Sequence, residues 1–372
     1  MQLRVEYRMG KGLKELREEV LDTDACTACG TCLYLCPQII SIGDRIAAIA
    51  DCRIESGSCY KYCPRTAWEL NSGNDLFGDA GYGGAVGPYL EYCVARSTLP
   101  DGKGAFQYGG VVSVLMMQAM DDGLIDRAIV TKAVSNLPVP VTVQSEKGII
   151  NAAGSKFALS PTNKEANRSA MIPETRLGAV VLPCQATGLR KKQLLPRDDG
   201  IAEGKTVFSL GLFCTWALSQ KGWRALMDKY LGNSRVKRID VPPPPANVME
   251  ITTGRKMHTI SLDEVRQYVP PGCKVCLDMT AENADISVGM VEGREEYNTV
   301  IIRTELGQSL LKKAVAARCL ELGKLDNERW NHLNEASISK KKRAIEEAES
   351  RGGSLPYYLR IIDLKQKIAG YQ

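Results

Sequence analysis

Residues 26–37 read C-T-A-C-G-T-C-L-Y-L-C-P, and their spacing decides what the first part of the chain can be. Cys26, Cys29 and Cys32 follow one another at C-x2-C-x2-C, Cys36 comes after three more residues, and Pro37 closes the run. Three thiols on one tight loop can wrap an iron–sulfur cube, while a fourth cysteine, turned away by the proline after it, ligates a second centre. A short amphipathic lead-in over residues 1–20, with one helix across KGLKELREEV, precedes the run.

This is the complete bacterial ferredoxin spacing, and a two-cluster ferredoxin carries a second copy. The chain offers Cys52, Cys59 and Cys63-Pro64. Counted back from Cys63, the third ligand falls correctly at Cys59, but Ser56 and Arg53 occupy the other two positions and Cys52 comes one residue early. By crossed ligation, Cys26, Cys29, Cys32 and Cys63 make one complete four-iron site. Cys36, Cys52 and Cys59 are left as three thiols, for which a three-iron cluster, a four-iron cluster with a non-cysteine ligand, and no cluster all stay open. The expected iron–sulfur module covers residues 21–70, and the glycine- and asparagine-rich stretch 71–87 reads as the linker out of it.

Farther on lies a scattered quartet: Cys184 in VLPCQATGLRKK, Cys214 in SLGLFCTW, and Cys273 and Cys276 in GCKVC. The first two each follow an apolar run that reads as a buried strand, and a strand end is a good place for a ligand. The C-x2-C pair is a chelating clip. Four thiolates suit a cubane cluster or zinc equally well, so the quartet by itself leaves the metal open.

Composition bounds the chemistry. The 372 residues are 44% hydrophobic and 24% charged, values of a globular protein with a sizeable core. Thirteen cysteines stand against two histidines, His258 and His332. An odd cysteine count without an export signal points to metal ligands in a reducing compartment, and the scarcity of histidine leaves little support for acid–base catalysis. No apolar run approaches the ~20 residues of a membrane helix. A net charge of +5 without basic–aromatic interleaving argues against nucleic acid. A cytoplasmic location is expected.

From residue 88 strand and helix signals alternate: YLEYCVARS, the apolar helix VVSVLMMQAMDDG, RAIVTKAV, GAVVLP, TVFSLGLF and NTVIIRT. The fold expected is α+β, the iron–sulfur module being followed by an α/β domain over 88–324 with a mixed sheet. Residues 325–372 read as a solvent-exposed helical tail whose lysine cluster belongs to a solvated face.

Two segments suit an anionic ligand. Phe106-Gln107-Tyr108-Gly109-Gly110-Val111 sets two glycines before a helix, so backbone amides can approach a phosphate or a ring edge. Gly154-Ser155-Lys156, followed by Ser160, offers a flexible turn, a cation and hydroxyls. Neither is a G-x-G-x-x-G fingerprint or a Walker loop.

In their order, the segments QYGGVVSVLMMQAMDDG, AAGSKFALSPT, VLPCQATGLRKKQ, GLFCTW, TTGRK, GCKVCLDMTAENADISVG and TVIIRTELG closely resemble the beta subunit of coenzyme F420-reducing hydrogenase and its relatives, from about residue 88 to 350. The amino-terminal part resembles that of longer members, such as the formate dehydrogenase beta subunit of methanogens. The resemblance implies FAD and a [4Fe–4S] cluster on Cys184, Cys214, Cys273 and Cys276. It further implies that Gly109, Gly110, Val111, Ser113, Gly154, Ser155, Lys156 and Ser160 line the flavin. Lys156 is the candidate tuning residue, because a cation near the ring stabilises its anionic reduced form. Tyr108 departs from the acidic or small residue often found there, and would stack on the ring or narrow the pocket.

The activity implied is hydride exchange between coenzyme F420, or NAD(P)H, and the flavin, with single electrons passing through the clusters to or from a partner catalytic subunit near the iron–sulfur module. Two other readings compete. One is an electron-transfer module linking one-electron partners with no free hydride substrate, against which an exposed basic groove beside the flavin would argue; Arg190, Lys191, Lys192, Arg255 and Lys256 are the basic candidates, which the sequence does not place on one surface. The other is a reductase with its own organic substrate. Cys93 and Cys319 read as buried structural thiols.

Overall fold

The computed structural model describes residues 10–66, 84–99, 106–195, 204–254 and 256–352. Its centre is an eight-stranded mixed sheet. In chain order the strands of the molecule are β1 Ile39–Ile42, β2 Arg45–Ala48, β3 Glu91–Ser97, β4 Arg127–Val134, β5 Leu137–Val143, β6 Arg176–Val181 and β7 Lys205–Leu212. They continue with β8 Val236–Asp240, β9 Val248–Thr253, β10 Lys256–Ser261, β11 Ile286–Met290, β12 Asn298–Ile302 and β13 Leu320–Gly323.

The large sheet runs β13-β3-β12-β11-β7-β6-β4-β5. Its four inner strands β11, β7, β6 and β4 are mutually parallel, and every other pairing is antiparallel. The expected mixed sheet is therefore present. Parallel strands are buried on both faces, which is why GAVV and VFSLGL read as unbroken apolar runs. One face packs on the helices Val111–Asp121 and Glu305–Ala316, through residues such as Leu115, Met116, Leu310 and Leu311. The other packs on Thr162–Ala170 and Pro183–Leu194 through Ala166, Ala186 and Leu189. Each such buried aliphatic side chain contributes about 1.5–3 kcal/mol of transfer energy. A separate three-stranded sheet, β10-β9-β8, closes its own core against the helix Gln220–Tyr230, with Trp223 buried between them.

The amino-terminal unit is small. Residues Leu13–Leu16 form a helical turn that runs on through Arg17–Leu21, and β1 and β2 make a hairpin. Leu13, Leu16 and Val20 share one core with Leu33, Ile39, Cys59 and Tyr60. Leu13, Leu16 and Val20 thus tie the described end of the lead-in to this core, while residues 1–9 and 67–83, with most of the expected linker, lie outside the described residues. The end of that linker is fastened: Ser337 Oγ donates to the Ala85 carbonyl at 2.7 Å and Thr280 Oγ1 to the Val86 carbonyl at 2.9 Å.

The carboxy-terminal helix departs from expectation. It forms over Asn327–Ser350, capped by Asp326, whose carboxylate accepts from the Arg329 amide at 2.9 Å. It is not a solvated tail. Ser337, Lys340, Lys341, Ala344, Ile345 and Ala348 are buried, a stripe at the spacing of one helix face. Ala344, Ile345 and Ala348 pack into the amino-terminal core. The lysine cluster is split, Lys340 and Lys341 facing inward and Lys342 outward. No described helix is long and apolar enough to cross a membrane.

Candidate functional site

A cavity of about 660 Å³ opens at the carboxyl ends of the parallel strands, lined by Thr131 of β4, Val181 of β6, Leu212 of β7 and Met290 of β11. Open α/β sheets place ligands there, where strand ends and helix amino termini converge. Gly110, Val111 and Ser113 line one wall and Gly154, Ser155, Lys156 and Ser160 another, so the two segments singled out by sequence face one space. Gly110 takes φ +71°, the left-handed turn that starts the helix Val111–Asp121, and a Cβ there would lie 2.4 Å from the Phe106 ring.

Gly109 behaves differently. It packs between strands, where a Cβ would come within 2.8 Å of the Ala95 carbonyl and the Asn298 amide, and it is not among the lining residues. Its part is to let the turn approach the sheet.

The polar groups of the cavity are specific. Ser160 is buried, and its Oγ has no hydrogen-bond partner among the described residues, an arrangement that costs stability unless a ligand completes it. Tyr108 Oη donates to Asp240 Oδ1 at 2.5 Å, and the Arg238 guanidinium lies 5.5 Å from the ring centre. Burial first, and then the Asp240 carboxylate, push this phenol well above its ordinary value. Lys156 Nζ donates to the carbonyls of Ala152, Ala153 at 2.9 Å and Gly154 at 2.8 Å. Burial lowers its ammonium to about 8. Arg266, Arg329 and His332 complete the basic lining.

The proposed basic groove does not form at that cavity. Arg190 pairs with Asp285 at 3.0 Å, Lys191 donates to the Cys63 carbonyl at 2.6 Å, and Lys192 donates to Asn167 Oδ1 at 3.2 Å. None of the three lines the cavity, nor does Lys256, and Arg255 lies outside the described residues. The reason is the helix Pro183–Leu194, whose residues 190–192 turn toward β11 and the amino-terminal unit.

The cysteines fall into three neighbourhoods. Cys26, Cys29, Cys32 and Cys63 line one small void, bringing the fourth thiol from 31 residues beyond Cys32. Burial, then Cys29, push Cys26 up to about 12, and the same causes push Cys63 up to about 11. Cys59 lies within electrostatic reach of Cys36 and Cys52, and burial with these neighbours takes it to about 12. Cys214, Cys273 and Cys276 interact with one another, and Cys184 with Cys273 and Cys276. Burial raises Cys184 well above the usual thiol range and Cys214 to about 12. Crowded, buried thiols resist losing their protons until a cationic metal centre compensates. Among the described residues no three His, Cys, Asp or Glu side chains are placed to hold a single ion, while the four thiols of the first group share the lining of one small void.

The groups adjoin in sequence. Cys214 lines the cavity, Cys184 interacts with Cys29, and Cys63 interacts with Cys59. Cys184 sits at the start of a helix directly after β6, Cys214 two residues past β7, and Cys273 in the short helix Pro271–Lys274, with Cys276 two residues past its end. Sequence reasoning overlooked Lys340: its Nζ donates to the carbonyls of Cys214 at 2.5 Å and Asp278 at 2.7 Å. Cys93 and Cys319 are half-buried at the β3 and β13 edge, away from every thiol group.

Comparison with known proteins places this geometry. Residues 92–165 match the amino-terminal model, and residues 174–328 the carboxy-terminal model, of the coenzyme F420 hydrogenase/dehydrogenase beta subunit. Coenzyme F420 hydrogenase subunit beta of Methanosarcina barkeri is 30% identical over 279 residues, 72% of this chain and 94% of that protein. Coenzyme F420-dependent sulfite reductase of Methanocaldococcus jannaschii is 27% identical over 357 residues, 91% of this chain, but the match spans only 53% of that protein. In the solved F420-reducing [NiFe] hydrogenase complex from Methanosarcina barkeri, one chain superposes with a TM-score of 0.64 at 30% identity, covering 72% of this chain and 93% of that one.

Proposed function

Since the chain belongs to the coenzyme F420 hydrogenase/dehydrogenase beta subunit family, we propose that it is an electron-transfer oxidoreductase subunit that exchanges a hydride between coenzyme F420 and FAD and relays single electrons to or from a partner catalytic subunit. The observation that carries this reading is continuity. Cavity, quartet, second quartet and three-thiol group adjoin one another through Cys214, Cys184 with Cys29, and Cys63 with Cys59.

A bound flavin supplies the passage between two-electron hydride chemistry and one-electron transfer. The residues present fit such a group. Gly110 and Val111 present the amino end of an apolar helix to it, where the helix dipole favours negative charge. The unpartnered Ser160 Oγ offers a hydrogen bond, and Gly154 and Ser155 keep the opposite wall low. Lys156 braces that wall through three carbonyls and adds a cation to it. Tyr108, fixed by Asp240, narrows one side of the cavity. Hydride transfer itself needs no acid–base residue, in keeping with the two histidines.

In this reading Cys184, Cys214, Cys273 and Cys276 hold one [4Fe–4S] cluster, and Cys26, Cys29, Cys32 and Cys63 another. Cys36, Cys52 and Cys59 offer three ligands to a third centre at the end of the relay, where a hydrogenase, formate dehydrogenase or heterodisulfide reductase type of subunit would dock.

The test is anaerobic mixing of the flavin-loaded protein with reduced coenzyme F420 and, separately, with NADH and NADPH, while the flavin absorbance is followed. Rapid bleaching by the deazaflavin alone is the expected result. Bleaching by a nicotinamide alone reassigns the hydride carrier. Bleaching only by reduced ferredoxin or a partner subunit replaces hydride exchange with a one-electron relay.

A further inference from the structure

Lys340 is 4% exposed, and it reaches its position from the carboxy-terminal helix, 64 residues beyond Cys276 and outside the segments that match the family models. Its Nζ donates to the carbonyl of Cys214 and to that of Asp278, two residues after Cys276. Lys341, its neighbour, pairs with Glu282. Lys340 makes no ion pair among the described residues. Taking an ammonium out of water costs several kcal/mol unless an opposite charge compensates, and two carbonyl dipoles offset only part of that. The remaining compensation has an evident source. The two carbonyls that hold the ammonium belong to Cys214 and to the residue two beyond Cys276, so an anionic cluster on these cysteines would supply it.

We infer that Lys340 is a positioning and tuning residue for the cluster held by Cys184, Cys214, Cys273 and Cys276: its buried charge raises the reduction potential of that cluster, and its two hydrogen bonds fix the loops that carry the ligands. The inference rests on the cluster assignment proposed above. A cubane held by four thiolates is an anion that gains a further negative charge on reduction, so a fixed cation beside it favours the reduced state. Net charge and solvent exclusion are among the main determinants of cluster potential. The cluster lies next to the cavity, so its potential governs how readily it accepts an electron from that side.

Arg65 acts from the opposite side. It is 3% exposed, donates to the Gly272 carbonyl at 2.7 Å, and lies within electrostatic reach of Cys273 and Cys276. A charge from the amino-terminal unit and one from the carboxy-terminal helix therefore converge on the same thiols, while Asp278 opposes them. With Arg65 left in place, substitution of Lys340 removes a single positive charge.

The experiment is an EPR-monitored anaerobic redox titration of the full chain as wild type, Lys340→Met and Lys340→Arg, with Cys273→Ser used to assign the quartet's signal. Lys340→Met is expected to keep its iron and to show a more negative midpoint for that signal alone, by about tenfold in the reduction equilibrium, or ~59 mV for one electron. Lys340→Arg is expected to restore most of the shift. An iron-replete Lys340→Met with an unchanged midpoint overturns the inference. So does loss of the cluster from both the Met and the Arg variants, which would make the role structural. If Cys273→Ser removes neither iron nor any signal, the cluster assignment falls, and the inference falls with it.

Discussion

The Nζ of Lys191, on the helix that follows β6, donates to the carbonyl of Cys63 in the amino-terminal unit at 2.6 Å. The exchange is reciprocal, because Arg65 of that unit donates to the carbonyl of Gly272 beside Cys273. Each part places a buried cation on a cysteine loop of the other. Asn167 extends the seam by donating to the carbonyls of Thr31 and Leu33 at 2.8 and 2.9 Å. These bonds hold two thiol groups in fixed relation, as the proposed relay would require.

Lys191→Met should cost about 1.5–3 kcal/mol, the range for a buried hydrogen bond to a charged group. The Cys63 carbonyl and Thr66 Oγ1, which now accept from it, would lose that donor. A lower urea midpoint, read beside the EPR signal of the amino-terminal cluster, checks this. An unchanged midpoint would show that the seam does not depend on this cation.

The seam is also close-packed at two glycines. A Cβ on Gly272 would stand 2.2 Å from the Cys26 carbonyl oxygen, and one on Gly188 would stand 2.2 Å from Thr31 Oγ1. Backbone cannot rotate away, whereas a hydroxyl can. Gly272→Ala is therefore expected to destabilise by about 1–3 kcal/mol and Gly188→Ala by less. Thermal unfolding of both variants gives the order, and the reverse order would contradict the packing described here.

Lys156 gives the flavin-free protein a pH signature. Burial holds its ammonium at about 8 against an ordinary value of 10.5. Below pH 8 both folded and unfolded chains carry the charge, and the folded chain bears the full cost of burying it. Between 8 and 10.5 the unfolded chain binds more protons, so this group's contribution to stability rises with pH; above 10.5 it is constant. Lys156→Met should remove that rise from the difference between wild type and variant. Parallel denaturation curves across the window would show that Lys156 titrates as an ordinary surface lysine.

Tyr108 and Asp240 should be energetically coupled. A double-mutant cycle with Tyr108→Phe and Asp240→Asn is expected to give about 1–2 kcal/mol, as befits a half-buried, charge-assisted bond. Additive single effects would mean that the phenol does not depend on the carboxylate for its place in the cavity wall.

The three-thiol group is tested by iron and sulfide analysis. Protein prepared anaerobically should contain more iron than two cubanes account for, and Cys52→Ser should remove only the excess. Iron for two cubanes alone would leave Cys36, Cys52 and Cys59 as plain thiols.

Much of this site was legible in the chain. The C-x2-C-x2-C-x3-C-P run and the displaced second copy pointed to Cys26, Cys29, Cys32 and Cys63 as one group, and these four line one void. Apolar runs ending at Cys184 and Cys214 showed buried strands. The glycine segments were legible as turns beside an anion site, though Gly109 proved to serve the sheet. The carboxy-terminal helix was misread for a definite reason. Its inner stripe, Ser337, Lys340, Lys341, Ala344, Ile345 and Ala348, contains two lysines, and in sequence a lysine counts toward the solvated face. The basic run 190–192 had no place on one surface in the sequence, because helical phase alone does not say which neighbour a long side chain meets.

Sequence by itself determined the cysteine spacing, the strand and helix alternation and the family, since these rest on order and periodicity along the chain. Only the tertiary structure decided that the two glycine segments face one cavity, that Cys184 meets Cys29, and that Lys340, Arg65 and Lys191 are buried at the thiol groups. The physical reason is that a cation is accepted into a protein interior only where negative charge and carbonyl dipoles from distant segments converge, and that convergence exists only once the chain has folded.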